Sequence, residues 1–195
     1  MKRSIIVSFF LLFTVTLLMA DFNLGFGVDL AGNQEISASG YSGSVDQDTN
    51  TGIEVFGEII NTLNKSAGSK FDAGIGAAWL VPRGFDDNND EYQEAFSFIP
   101  LYFLIQLGTN NPNNMNFYGK AKIGYDLFSG NDDYAGSGDL TGGLYTGFGA
   151  GIISSKDLFL EVSYQTYNGS ISWGGDDELD IVQTHISIML GRRIK

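Results

Sequence analysis

The chain contains no cysteine, a single histidine (His185) and only three prolines in 195 residues. Without cysteine there is no disulfide framework and no lipoprotein attachment site. Bases are scarce: 11 Lys and Arg face 23 Asp and Glu, for a formal net charge of −12. Such a deficit excludes nucleic acid as a partner and favours divalent cations or a basic surface. Long apolar runs are missing beyond the first twenty residues. Glycine, by contrast, is plentiful at 26 residues, most of them inside segments that read as strands. Soluble sheets usually avoid this, whereas barrels place glycine where walls crowd or bend.

Residues 1–20 read as a secretory signal: Lys2 and Arg3 form a positive start, Ile5–Met19 an apolar stretch, and Ala20 a small residue before the cut. Leu18 stands where a small residue is preferred. A retained anchor is the alternative, but the stretch is shorter than the roughly 20 residues a helical span needs. Removing 20 of 195 residues leaves one domain of 175, residues 21–195, with nine bases and 23 acids, a net charge of −14.

That domain alternates apolar and polar residues in eight runs, beginning near Phe22, Ile53, Phe71, Ser97, Met115, Leu144, Leu158 and Val182. In the first run Phe22, Leu24, Phe26, Val28 and Leu30 share one face, and Asn23, Gly25, Gly27 and Asp29 the other. Seven runs carry one apolar face and one small or polar face, each about the 9–11 residues that a tilted membrane strand requires. The fourth, Phe96–Leu107, is apolar on both faces and carries Pro100, which predicts a bulge or bend. Placing the apolar face outward sets Phe22, Phe71 and Phe117 near one rim, and Trp79, Tyr125 and Tyr164 near the other, as two aromatic girdles. The fold class expected is all-β, an eight-stranded antiparallel up-and-down transmembrane barrel. A soluble barrel with its apolar face inward is the alternative. It would leave an outer surface with far more glycine than soluble surfaces carry.

Connections alternate between long and short. The long ones, Gly32–Thr51, Pro82–Ala95, Ser129–Thr141 and Asn168–Asp180, hold 15 of the 23 acids, and Arg83 is their only base. The short turns and the C-terminal end hold Lys65, Lys70, Lys156, Arg192, Arg193 and Lys195. One rim is therefore acidic and the other basic.

The outward apolar face turns Asp29, Glu54, Glu58, Asp72, Lys120, Lys122, Asp126, Glu161 and His185 into the lumen, with Arg193 beside them. Eight strands leave a bore just wide enough for side chains to fill, and buried charges need partners. A salt-bridged plug is the expected result; a narrow cation path lined by surplus carboxylates is the alternative. In the loops, Asp86, Asp87, Asp90 and Glu91, and separately Asp176 and Asp177, offer oxygen contacts to cations, but the turn glycine and closing glutamate of an EF-hand are missing. Solvated acidic loops are the plainer reading. The residues point to no cofactor, no catalytic set and no dedicated metal centre.

The export signal, the eight runs, the stretch Gly142-Gly143-Leu144-Tyr145-Thr146-Gly147-Phe148-Gly149-Ala150-Gly151 and the closing Ile188-Met189-Leu190-Gly191-Arg192-Arg193 resemble the small outer-membrane β-barrel family of OmpA-transmembrane-domain and OmpX type. The resemblance spans residues 21–195 and is architectural. It implies a monomer surrounded by outer-membrane lipid, delivered by periplasmic chaperones and inserted by the barrel-assembly machinery, with a structural, adhesive or protective role. Many members end on an aromatic residue, whereas this chain ends Ile194-Lys195, and it lacks the peptidoglycan-binding domain that follows the barrel in OmpA itself. The triplet His185-Ile186-Ser187 also resembles the His-x-Ser pair of outer-membrane lipid A 3-O-deacylases. No acid follows His185, and the pair faces the lumen, so an ordinary interior histidine is expected. A non-enzymatic outer-membrane protein is the leading reading; a narrow channel and a lipid A hydrolase are the alternatives.

Overall fold

Two-residue alternation builds eight long strands that close on themselves. The structure, a computed structural model, describes residues 20–30, 32–38, 43–83, 96–111, 114–130, 138–173 and 178–195. Its elements are β1 (Asp21–Asp29), β2 (Gly32–Ala38), β3 (Ser44–Thr49), β4 (Gly52–Ser66), β5 (Gly68–Arg83), β6 (Phe96–Asn110), β7 (Asn116–Gly130), β8 (Asp139–Gly142), β9 (Leu144–Ile153), β10 (Leu158–Ser172) and β11 (Glu178–Ile194). All pairings are antiparallel. The ring runs β1-β4-β5-β6-β7-β9-β10-β11, and β11 returns to β1 from Phe22↔Ile194 to Asp29↔Ser187. Closure leaves the ring no free edge.

The apolar faces point out. Phe103 is 70% exposed and Phe117 63%, with Leu24, Phe26, Ile53, Leu101, Ile105, Ile123, Phe148 and Val162 also exposed around the wall. Of the residues expected in the two girdles, Phe22, Phe117, Trp79, Tyr125 and Tyr164 are exposed as well, while Phe71 is half-buried. An apolar belt of this extent far exceeds the patches tolerated on soluble monomers and fits a bilayer. The core is the lumen.

The short turns gather at one end. Gly68, at φ 95°, closes the β4–β5 turn in a conformation that glycine adopts without strain. Between β9 and β10, Asp157 takes φ 62°, while the Asp157 N–H donates to Ser154 O at 3.0 Å and the Leu158 N–H donates to the Ser154 hydroxyl at 3.2 Å. This is a short hairpin loop with a left-handed residue re-entering the strand.

At the other end the connections are more ordered than the residues suggested. Gly32–Thr51, expected as a loop, is largely a hairpin: β2 and β3 pair, and β2 continues the wall beside β11 from Thr184↔Asn33 to Leu179↔Ala38. The last strand begins at Glu178 rather than Val182, because this hairpin and β10, which runs to Ser172, give its early backbone partners. β8 pairs with β10 beyond the point where β9 leaves it, so β8 and β9 share one wall position, interrupted at Gly143. Beside Pro100, where a bulge or bend was expected, rungs are missing on one side without a change of register, and the register shift comes further on, between Leu80↔Phe98 and Arg83↔Phe96. The ladder to β7 is continuous through Pro100↔Asp126, whereas pairing with β5 skips from Ala77↔Leu101 to Leu80↔Phe98. A missing N–H removes a rung only on the side it faces. Ser97 bridges there, accepting from Trp79 Nε1 at 3.2 Å and donating to Leu80 O at 3.0 Å.

Candidate functional site

The lumen is packed in layers, and glycine makes room for them. A Cβ on Gly76 would lie 2.6 Å from the Tyr102 ring, and one on Gly151 2.6 Å from the Tyr118 ring. Each ring lies flat across a bare stretch of the neighbouring strand, an arrangement that covers backbone while narrowing the bore.

All nine interior residues read from the sequence are at most 4% exposed: Asp29, Glu54, Glu58, Asp72, Lys120, Lys122, Asp126, Glu161 and His185. They do not form one cluster but three tiers and a solitary acid. The tier nearest the turns joins Lys70, Asp72, Arg193, Gln106 and Asn23. Lys70 Nζ lies 3.1 Å from Asp72 Oδ2, Arg193 Nη1 3.7 Å from the same oxygen, and Arg193 Nε donates to Asn23 Oδ1 at 3.0 Å. A vestibule of about 210 Å³ opens here, lined by Lys65, Lys70, Gln106, Tyr118 and Arg193 among others.

The middle tier is an ion-pair cage. Lys120 Nζ sits 3.0 Å from Glu58 Oε2 and 2.7 Å from Glu161 Oε2. Lys122 Nζ lies 3.9 Å from Glu58 Oε1 and 3.6 Å from Glu161 Oε1, and stands over the Tyr102 ring at 5.3 Å. Tyr118 donates to Glu161 at 3.0 Å, Tyr102 to Glu58 at 3.3 Å, and Asn23 Nδ2 to Glu58 at 2.9 Å. Two ammonium groups and two carboxylates, each with neutral donors added, offset the cost of burying charge.

The third tier holds Asp29, Glu54 and His185 around Gln165 and Ser187. Gln165 Nε2 donates to Glu54 Oε2 at 2.7 Å and to Ser187 Oγ at 2.8 Å, while its carbonyl accepts from Tyr145 and Tyr167. Ser187 in turn donates to Asp29 Oδ1 at 2.6 Å. His185 Nε2 lies 3.3 Å from the same oxygen, and its ring stacks on Tyr167 with centroids 5.0 Å apart. Ser187 therefore directs its hydroxyl hydrogen at Asp29, an acid that stands upstream of the histidine in the sequence. Asp126 stands apart, accepting the Asn168 N–H at 3.0 Å. The expectation of charge pairing thus needs correction at two carboxylates: Glu54 is held by an amide and Asp126 by the backbone, because neutral donors reached them first.

A run of aromatic rings links the middle tier, through the third, to the far end of the bore. Tyr102, Tyr145, Tyr167, Phe98 and Phe128 contact in sequence with centroids 5.1–5.4 Å apart, and Leu80, Ile171 and Ile181 are buried beside them. Tyr145 and Gln165 alternate with the outward Leu144 and Tyr164 and so lie inward, but nothing in the sequence revealed that they meet. Tyr102 lies on the strand whose two faces look alike. The loop acids Asp86, Asp87, Asp90, Glu91, Asp176 and Asp177, and nearly all of the signal segment, lie outside the described residues.

A closed antiparallel ring with an apolar belt and a packed polar lumen defines a transmembrane β-barrel. Comparison with solved structures agrees. The outer membrane enzyme PagL aligns with a TM-score of 0.50 at 13% identity, over 87% of this chain and 98% of that one. OprG, an outer membrane protein from Pseudomonas aeruginosa, aligns with a TM-score of 0.49 at 11% identity, over 90% and 96%. At 13% identity the PagL alignment shows the fold alone, a small closed barrel of the kind that spans outer membranes. No family model and no curated protein matches the sequence.

Proposed function

We propose that the protein is a non-enzymatic barrel of the bacterial outer membrane, with a closed lumen and a structural or surface-interaction role carried by its acidic rim. The observation that supports this most directly is the Lys120 ammonium between Glu58 and Glu161, at 3.0 and 2.7 Å, beneath a column of five touching rings. A permeating ion would have to displace both. Lipid surrounds the belt; periplasmic chaperones and the barrel-assembly machinery are the partners for biogenesis, and divalent cations are the partners suited to the acidic rim. In a serine–histidine pair the imidazole takes the hydroxyl proton, whereas the Ser187 hydroxyl is directed at Asp29 and Tyr167 covers the His185 ring. This favours the non-enzymatic reading over a hydrolase.

The test is conductance of the refolded protein in planar bilayers. A flat current at voltages that leave the bilayer intact is expected. Cation-selective steps that change when Glu54 and Glu58 become Gln would replace the plug with a channel. Expression in a host with defined lipid A tests the hydrolase: an altered lipid A mass, lost in Ser187→Ala, would overturn the non-enzymatic assignment.

A further inference from the structure

The interior carries more negative charge than it neutralises. Among the described residues, six carboxylates are buried (Asp29, Glu54, Glu58, Asp72, Asp126 and Glu161) against three buried bases, Lys120, Lys122 and Arg193. Lys70 adds a fourth base at the mouth, on Asp72. The middle tier balances itself. The excess falls on Asp126 and on the third tier, where Asp29 and Glu54 bring one carboxylate oxygen each and His185 an imidazole nitrogen to within 4.8 Å of one another. Glu54 is fully buried, and its Oε1 has no hydrogen-bond partner. A carboxylate oxygen left without a partner in a dry interior is costly unless something meets it.

We propose that Asp29, Glu54 and His185 bind a divalent first-row transition ion inside the barrel, with Zn²⁺ as the representative probe. Imidazole with two carboxylates suits Zn²⁺ and its neighbours in the row better than Ca²⁺ or Mg²⁺, which require more oxygen ligands. Tetrahedral donors about 2.1 Å from a metal lie about 3.4 Å apart. The 3.3 Å between His185 Nε2 and Asp29 Oδ1 already fits that spacing. Glu54 has at most about 1.4 Å to close, from 4.8 Å to the tetrahedral spacing, and its Oε1 has no hydrogen-bond partner to give up.

The supporting groups are those expected of such a centre. Ser187 fixes Asp29, Gln165 holds the other oxygen of Glu54, and Tyr167 stacks on the His185 ring. Outer partners of this kind orient ligands and raise metal affinity. A divalent ion here would draw Asp29, Glu54 and His185 onto one centre and supply the positive charge that two closely spaced carboxylates favour. Because the centre is enclosed, it fills as the barrel closes, and the ion exchanges slowly afterwards.

The test uses the full-length mature chain without an affinity tag, refolded into detergent with equimolar Zn²⁺ and then passed over a desalting column. One zinc per chain is expected, falling at least tenfold in Glu54→Gln. Retention below a tenth of an equivalent, or equal retention in Glu54→Gln, would overturn the proposal, the latter by placing the ion on the acidic loops. Should the variant not fold, zinc-edge X-ray absorption on the wild type decides the matter. His185 is the only histidine in the chain, so a single imidazole shell must appear, and an all-oxygen shell rejects the site.

Discussion

The Asp126 carboxylate on β7 accepts the backbone N–H of Asn168 on β10 at 3.0 Å, reaching across the point where β8 gives way to β9. The Asp126 N–H itself donates to Gly143 O at 2.8 Å. The wall is broken between two strands that would otherwise not touch, and one side chain supplies the missing acceptor.

Replacing Asp126 with Ala therefore orphans a partly buried amide, and a loss of about 1–3 kcal/mol is expected. Asn, which keeps an acceptor oxygen, should lose clearly less. Urea titration of the refolded barrel in lipid measures both; equal losses would mean that the carboxylate contributes by filling space rather than by accepting the Asn168 amide.

Lys120→Met leaves Glu58 and Glu161 facing each other with only the more distant Lys122. The expected cost is about 3–5 kcal/mol, in line with breaking other buried pairs. Adding Glu161→Gln should recover a substantial part of it. A double variant no more stable than Lys120→Met alone would show that shape, not charge, governs this tier.

On the outer wall, Ile123→Arg puts a charge near the middle of β7 against lipid, and about 2–4 kcal/mol should be lost. Its sequence neighbour Lys122 faces inward, and Lys122→Gln should lose less because Lys120 holds the shorter contacts to both glutamates. Comparable losses in the two variants would reverse the assignment of faces.

Gly76→Val drives a branched side chain into the Tyr102 ring, at a cost of about 1–3 kcal/mol from overpacking. Pairing it with Tyr102→Ala should give a total smaller than the sum of the two single losses, since the ring is what the valine strikes. Strict additivity would mean that the ring moves aside at no cost. Heat-modifiability on gels gives the first screen for whether each variant closes.

Alternation made most of the wall legible, because every second residue meets either lipid or lumen, and Phe26 and Asp29 announce those environments directly. Phe96–Leu107 was less clear: with Tyr102 and Leu104 inside and Phe103 and Ile105 outside, both faces are apolar, so period alone does not separate them. The β2–β3 hairpin escaped notice because Asn33, Gln34, Asp46 and Asp48 read as loop residues, yet pairing above the membrane surface needs no apolar face. The charged interior positions could be read one by one, since polar residues on a barrel's inner face have nowhere else to go. Their partners could not. Gln165 reaches Glu54, 111 positions away, and which strand stands opposite another is set by the tilt and stagger of the ring rather than by any local pattern.

The seam between the first and last strands carries side-chain bonds as well as its backbone ladder: Ser187 to Asp29 spans 158 positions, and Arg193 to Asn23 spans 170. Neither can form until β11 has been made and has met β1. Contacts of such separation demand a large entropic outlay before they return anything, which slows the approach to the closed ring. Release is slow for the same reason in reverse, because parting the seam means breaking the ladder and these polar links together. The barrel behaves as a latch: late to engage, and once engaged held by the two segments of the chain that were last to find each other.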